Sequence, residues 1–238
     1  MSGSASGSGP VALVGSGEFL EAMADIDLGL IEGRSRRAVF LPTAAAEEGA
    51  DRVQYWVDLG IAHYTGLGVD PVPLLVLDRN DADRADLAAK VDGAGLVYLS
   101  GGNPGYVAHT LAGTRVWEAI LAAWRGGASL AGCSAGACAL TRIADDFGRP
   151  GRYSGEGLAV IPQLAVVPHF DRIERWMPGL VDRMVARVPP DTALLGIDEE
   201  TALICDSGRF AVAGTRAVWK IHRDGTRTRY PAGADLTI

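Results

Sequence analysis

The sequence predicts an α/β protein with a doubly wound, mostly parallel sheet, helices on both faces and an antiparallel edge toward the C-terminus. Three observations carry this. Short apolar runs without polar alternation recur along the first 134 residues, as expected of strands buried on both faces. Longer segments rich in alanine, leucine and acids separate them, as the crossovers between parallel strands require. After residue 150 the rhythm shortens, and the turn signals "DSGR" and "RDGT" suggest antiparallel hairpins.

Taken in order, the predicted strands are "VALVG" (11–15), "RAVFLPT" (37–43), "PVPLLVL" (71–77), "GLVYLSGG" (95–102) and "ASLAGCS" (128–134). Between them, residues 18–31, 47–66, 82–92 and 104–126 read as helical, with Gly113 splitting the last. Further on, "QLAVVPHF" (163–170) reads as a strand, "ERWMPGLVDRMVAR" (174–187) as a helix, and residues 192–221 as several short strands. The small polar start, residues 1–10, reads as a disordered tail with neither the charged nor the apolar region of a secretory signal. Residues 11–238 read as one α/β domain, for which a 238-residue chain with 48% hydrophobic content gives ample core.

Composition narrows the partners. Net charge is −7 and the basic residues are scattered, so the electrostatic footprint of a nucleic-acid binder is missing. No apolar run approaches the eighteen or so residues of a membrane span. Three cysteines without metal-ligand spacing suggest reduced thiols in a cytoplasm, and neither a metal nor a cofactor is expected. The loop "VGSGEF" (14–19) offers G-x-G, but Leu20 stands at the third glycine position and no acid clearly ends the second strand, which argues against a dinucleotide site.

The chemistry centres on "AGCSAGA" (131–137). Gly132, Ser134 and Gly136 match G-x-S-x-G, a sharp strand-to-helix turn that lifts a serine above the sheet. The same small residues also suit plain tight packing of a strand against a helix. Cys133 as the nucleophile would want glycines at 131 and 135, and both are alanine. A serine hydroxyl needs a base and the base an orienting acid. His169, at the end of an apolar run, has the position of a base, whereas His63 and His109 lie within predicted helices and His222 near the C-terminus. Two sources of acid stand open: one of Asp198, Glu199 and Glu200, or Asp145 and Asp146, which end the helix predicted to start at Ser134. "YLSGGNPG" (98–105) can aim the Gly102 amide, with that of Ala135, at a developing oxyanion, and it equally suits a plain turn with Pro104 opening a helix.

Together "GSGEF", "FLPTA", "YLSGGNPG", "AGCSAGA", "VVPHF" and "GIDEETAL" resemble, in order, the serine peptidase family of aspartyl dipeptidase (peptidase E) and cyanophycinase, which has a class I glutamine-amidotransferase-like fold. The resemblance implies Ser134 as nucleophile, His169 as base and then acid, Gly102 with Ala135 as oxyanion hole, and Glu199 as third member. The dipeptidase branch points instead to Asp145 or Asp146. It also implies small peptide substrates, a homodimer and cations for a substrate carboxylate; Arg142, Arg149, Arg152, Arg172 and Arg175 lie near the site segments, and Asn103, Arg172 and Arg175 are the expected substrate contacts. The dipeptidase branch cleaves peptides with N-terminal aspartate, and cyanophycinase a β-aspartyl-arginine polymer. Cyanophycinase tends to carry H-F-x-x-R-x-R, where this chain has Ile173 in place of the first arginine, so dipeptides with an N-terminal aspartyl residue are the expected substrate, with a β-aspartyl peptidase or a non-catalytic binding protein as alternatives.

Overall fold

The computed structural model describes residues 7–147, 149 and 151–238. The sequence's apolar runs become β1 (Val11–Val14), β2 (Arg37–Leu41), β3 (Asp70–Pro73), β4 (Leu96–Leu99) and β5 (Ser129–Cys133). The intervening segments become α1 (Ala24–Ile31), α2 (Ala50–Gly66), the short α3 (Arg79–Ala82) and α4 (Ala85–Ala88), α5 (Pro104–Leu111) and α6 (Arg115–Arg125). Then come α7 (Ala135–Leu140), β6 (Leu164–Val167), α8 (Phe170–Trp176), α9 (Leu180–Arg187), β7 (Ala193–Ile197), β8 (Thr201–Asp206), β9 (Arg209–Gly214), β10 (Ala217–Ile221), β11 (Arg227–Pro231) and β12 (Asp235–Leu236).

Eight strands form one sheet in the order β12-β9-β8-β1-β5-β4-β2-β3. From β1 to β3 every pairing is parallel, and β8, β9 and β12 add the predicted antiparallel edge. Alternate residues of the central strands feed different cores. Leu13, Val39, Leu41, Val97, Leu99 and Leu130 pack toward α5 and α6, while Val14, Phe40, Leu96, Tyr98 and Ala131 pack toward α1 and α2. Both faces are thus covered, which is why these strands read as apolar without alternation.

The C-terminal part departs from the expectation of a single sheet. β6, β7, β10 and β11 form a second sheet in the order β11-β10-β7-β6, in which β6 and β7 are parallel. One face, with Leu164, Val166, Leu195 and Val218, joins the main core; the other, with Val167, Leu194 and Ile221, is closed by α8 and α9. The segment 174–187 is two helices, because Gly179 (φ 72°) turns the chain into the left-handed region after Pro178. The helix after Ser134 also ends early, at Leu140, so Asp145 and Asp146 do not terminate it. The Thr141 hydroxyl caps the Cys138 carbonyl at 2.9 Å, the Arg142 amide turns to Leu164 O, and Ile143 bridges to Glu156.

At the N-terminal end, residues 1–6 of the predicted tail lie outside the described residues. Gly9 is tied down: its amide donates to Trp124 O, and its carbonyl accepts from the Trp124 indole at 2.7 Å. No described helix is long and apolar enough to cross a membrane.

Candidate active site

Ser134 sits where β5 runs into α7, at φ 50° and ψ −106°, a conformation that costs a non-glycine residue of order 1–3 kcal/mol. Its amide is held by Val14 O at 2.9 Å. The flanking glycines are there for space. A Cβ on Gly132 would stand 2.4 Å from the carbonyl group of Gly136, and one on Gly136 would stand 2.2 Å from Leu99 O. The small residues therefore serve tight packing and the half-buried serine at once; the two readings of the sequence are the same turn.

His169 follows β6 in the left-handed region (φ 49°, ψ 38°) and opens α8. Its Nε2 lies 3.0 Å from Ser134 Oγ, and its Nδ1 lies 3.1 Å from Glu199 Oε1. An ionised carboxylate only accepts, so Nδ1 carries the proton and Nε2 is left to accept from the serine. Glu199, in the turn between β7 and β8, is itself restrained. Arg172 Nε donates to its Oε2 at 2.7 Å, and its amide donates to Asp171 Oδ1 at 2.9 Å. Arg216 holds the other oxygen of Asp171 at 3.0 Å.

The neighbouring acids point elsewhere. Asp198 is buried and accepts from the Trp219 indole, and burial raises its pKa above the ordinary carboxyl value. Glu200 lies at φ 53°, and its carbonyl receives the Thr215 amide. Asp145 pairs with Arg187, and Asp146 accepts from the Asn103 side chain at 3.0 Å and from the Arg149 amide at 2.8 Å. Of these five carboxylates, the structure brings Glu199 to His169 Nδ1.

In the loop after β4, Gly102 lies at φ 139°, and a Cβ there would meet Ala44 O at 2.3 Å. The loop borders Ser134: a Cβ on Gly101 would lie 3.5 Å from Ser134 Cβ. Ala135 contributes the first amide of α7, and the first four amides of any helix lack an intrahelical acceptor. Asn103 is committed as the cap of α5, accepting from the Tyr106 amide, while its NH₂ donates to Glu47 and Asp146. Arg175 has no ion pair among the described residues and lines a cleft of about 280 Å³ with Asp171, Arg172, Trp176 and Arg216. Trp176 borders His169, their rings 5.3 Å apart.

Cys133 is fully buried, and its thiol donates to Glu18 Oε2. Burial first, and the Glu18 carboxylate next, push that thiol well above its ordinary range, which makes it a poor nucleophile. Sequence reasoning missed Asp171, Arg216, Trp176 and Glu18. The signal for Glu18 was present, a lone charge in a stretch of small and apolar residues.

Comparison with known proteins gives the family. The model of peptidase family S51 matches residues 11–213. The crystal structure of a peptidase from an acI-B1 Actinobacterium superposes with a TM-score of 0.89 at 37% identity, covering 97% of each chain. A putative peptidase E from Listeria monocytogenes shares the fold at a TM-score of 0.66 and 17% identity, covering 87% of this chain and 98% of its own. Cyanophycinases from Trichormus variabilis and Synechococcus elongatus are each 28% identical, over 75% and 70% of this chain. The chain spans only 60% and 54% of the length of those two curated relatives.

Proposed function

The chain belongs to peptidase family S51, and on that premise we propose that it is a serine peptidase of small peptides acting through an acyl-enzyme on Ser134. The observation that carries the reading is the unbroken relay from Ser134 Oγ to His169 Nε2 (3.0 Å) and from His169 Nδ1 to Glu199 (3.1 Å). In this reading His169 takes the Ser134 proton as Oγ attacks the scissile carbonyl. The amides of Gly102 and Ala135 receive the oxyanion, each donor being worth ~3 kcal/mol in the transition state. His169 then gives its proton to the departing amine, and water, deprotonated by the same ring, releases the acyl group. Glu199 keeps the ring in the tautomer that every step needs.

The substrate we assign is a dipeptide with an N-terminal aspartyl residue. Arg175 supports this, since an arginine without an ion pair beside the catalytic histidine suits a substrate carboxylate. Asn103, with its donors already engaged, contributes by fixing the loop instead of binding substrate. A β-aspartyl peptidase of cyanophycinase type is the second reading, favoured by the curated relatives. Against it, Ile173 is buried in the α8 core, so the position of the missing arginine faces away from the cleft.

A dipeptide library containing α-aspartyl, β-aspartyl and neutral N-termini separates these readings. Turnover confined to α-aspartyl substrates, and its loss in Ser134→Ala together with phosphonate labelling, is expected. Cleavage of β-aspartyl-arginine alone would move the assignment to the second reading, and hydrolysis undiminished in Ser134→Ala would end the first.

A further inference from the structure

The loop "GSGEF", whose pattern argues against a dinucleotide site, lies at the centre of the candidate active site. Three site segments hang by their backbones on residues 14–16: the Ser134 amide on Val14 O (2.9 Å), the His169 amide on Gly15 O (3.3 Å) and the Glu200 amide on Ser16 O (3.2 Å). Backbone contacts of this kind need no particular side chain. The fourth segment, the two-glycine turn after β4, is tied differently. The Gly101 amide donates to the Glu18 carboxylate, Oε1, at 2.8 Å, and Glu18 is only 5% exposed. Its other oxygen accepts from the Cys133 thiol.

The amides along that turn show what the tie achieves. Ser100 N donates to Leu41 O at 3.1 Å, Gly101 N to Glu18, and Asn103 N to Ala44 O at 2.8 Å. Among the described residues, the Gly102 amide alone in this run has no acceptor. Two consecutive glycines are the most easily rotated backbone in the loop. Backbone carbonyls hold the two ends of the turn, and between them the amide next to Gly102 rests on a side-chain acceptor.

We propose that Glu18 is a positioning residue for the oxyanion site: by accepting the Gly101 amide it fixes the two-glycine turn, so that the Gly102 amide remains aimed at the oxygen developing on the scissile carbonyl. The inference rests on the Ser134 reading above. Phe19 supports the placement of Glu18. It is held at φ 64°, with its ring against Phe40, Trp56, Tyr64 and Tyr98, so the chain on either side of the carboxylate has little freedom.

The test compares Glu18→Gln, which keeps an acceptor oxygen for Gly101, with Glu18→Leu, which removes it at similar size. Rates are expressed per phosphonate-titrated Ser134. Glu18→Leu is expected to lose about 10²–10³ in kcat, the range for one oxyanion donor, with KM changed less than about threefold. Glu18→Gln should remain within about tenfold of the parent. A kcat for Glu18→Leu within about threefold of the parent, or equal losses in both variants, overturns the proposal.

Should Glu18→Leu fail to fold, hydrogen exchange on the unaltered protein decides. The Gly101 amide should be protected, and the Gly102 amide should exchange fast until Ser134 is phosphonylated. Fast exchange at Gly101, or protection of Gly102 beforehand, refutes the role of Glu18. A protein whose Ser134 takes no phosphonate refutes the serine mechanism instead, and the Gly101 measurement still reads the contact.

Discussion

Replacing Glu199 by glutamine tests the relay most sharply, because the structure dictates which way the new amide must face. Arg172 Nε donates to Oε2 at 2.7 Å, so the carbonyl oxygen of the introduced amide is drawn to the guanidinium. Its NH₂ then points at His169 Nδ1, where Glu199 Oε1 stood at 3.1 Å. A donor there forces Nδ1 to accept and moves the ring proton to Nε2, which can no longer take the proton of Ser134. The corresponding acid-to-amide change in a serine triad costs ~10⁴ in kcat, or about 5 kcal/mol of barrier. Kinetics on the best library dipeptide should show that loss in kcat with little change in KM or in the thermal midpoint. Adding Arg172→Ala removes the group that orients the amide, so the double variant should recover part of the activity lost by Glu199→Gln alone. A kcat for Glu199→Gln within about tenfold of the parent would refute the tautomer argument.

Three further outcomes follow from the same structure. Gly132→Ala drives a methyl to 2.4 Å from the Gly136 carbonyl, and overpacking of this kind should lower stability by roughly 2–3 kcal/mol, a drop of ~5–10 °C in Tm by calorimetry; an unchanged Tm would mean that the elbow has slack. The thiols of Cys138 and Cys205 are pushed up to about 12 by burial, which leaves a thiolate fraction of ~10⁻⁴ at pH 8, and Cys133 is raised as well; native protein should therefore keep its activity through an hour in iodoacetamide, whereas inactivation with alkylation at Cys133 would reinstate a cysteine nucleophile. His63 and Asp27 form a buried pair at 2.8 Å, and burial already raises the Asp27 pKa; His63→Leu should cost roughly 3–5 kcal/mol in urea unfolding. A carboxyl raised in the folded state loses stability as pH climbs through its folded pKa, so the penalty should be larger at pH 8 than at pH 5, and equal penalties would argue against an ionised Asp27.

How much of this was legible depends on whether the cause was local. β1 to β5 and their helices announce themselves because strands buried on both faces must be apolar at every position, and Gly113 punctuates the helical stretch as its φ of 68° requires. Ser134, His169 and the "GIDEE" turn are legible for a related reason, since each stands where an apolar run stops. The second sheet was not legible, because β6 and β7 find each other only in three dimensions. Nor was the early end of α7, set by Leu164 and Glu156 from distant parts of the chain. Which of three consecutive acids faces His169 was likewise decided by partners. Trp219 takes Asp198 and Arg172 takes Glu199, and neither pairing has a period to read.

The distribution of strain gives the site its physical logic. Six described non-glycine residues have positive φ, and four of them, Phe19, Ser134, His169 and Glu200, belong to the candidate active site or the loop beneath it. Each such residue costs of order 1–3 kcal/mol and persists only where its surroundings over-determine it. Here the surroundings are specific: Ser134, His169 and Glu200 each place their amide on a carbonyl of residues 14–16, and Phe19 is locked by an aromatic cluster. The strained residues thus share one anchor, the segment that leaves the end of β1 in the middle of the sheet. A shift there would move Ser134, His169 and the Glu199–Glu200 turn together, whereas the Gly101–Gly102 turn is held at its ends by Leu41 O and Ala44 O and at Gly101 by the Glu18 carboxylate. That difference is why the proposed oxyanion site is expected to depend on a buried glutamate as well as on backbone contacts.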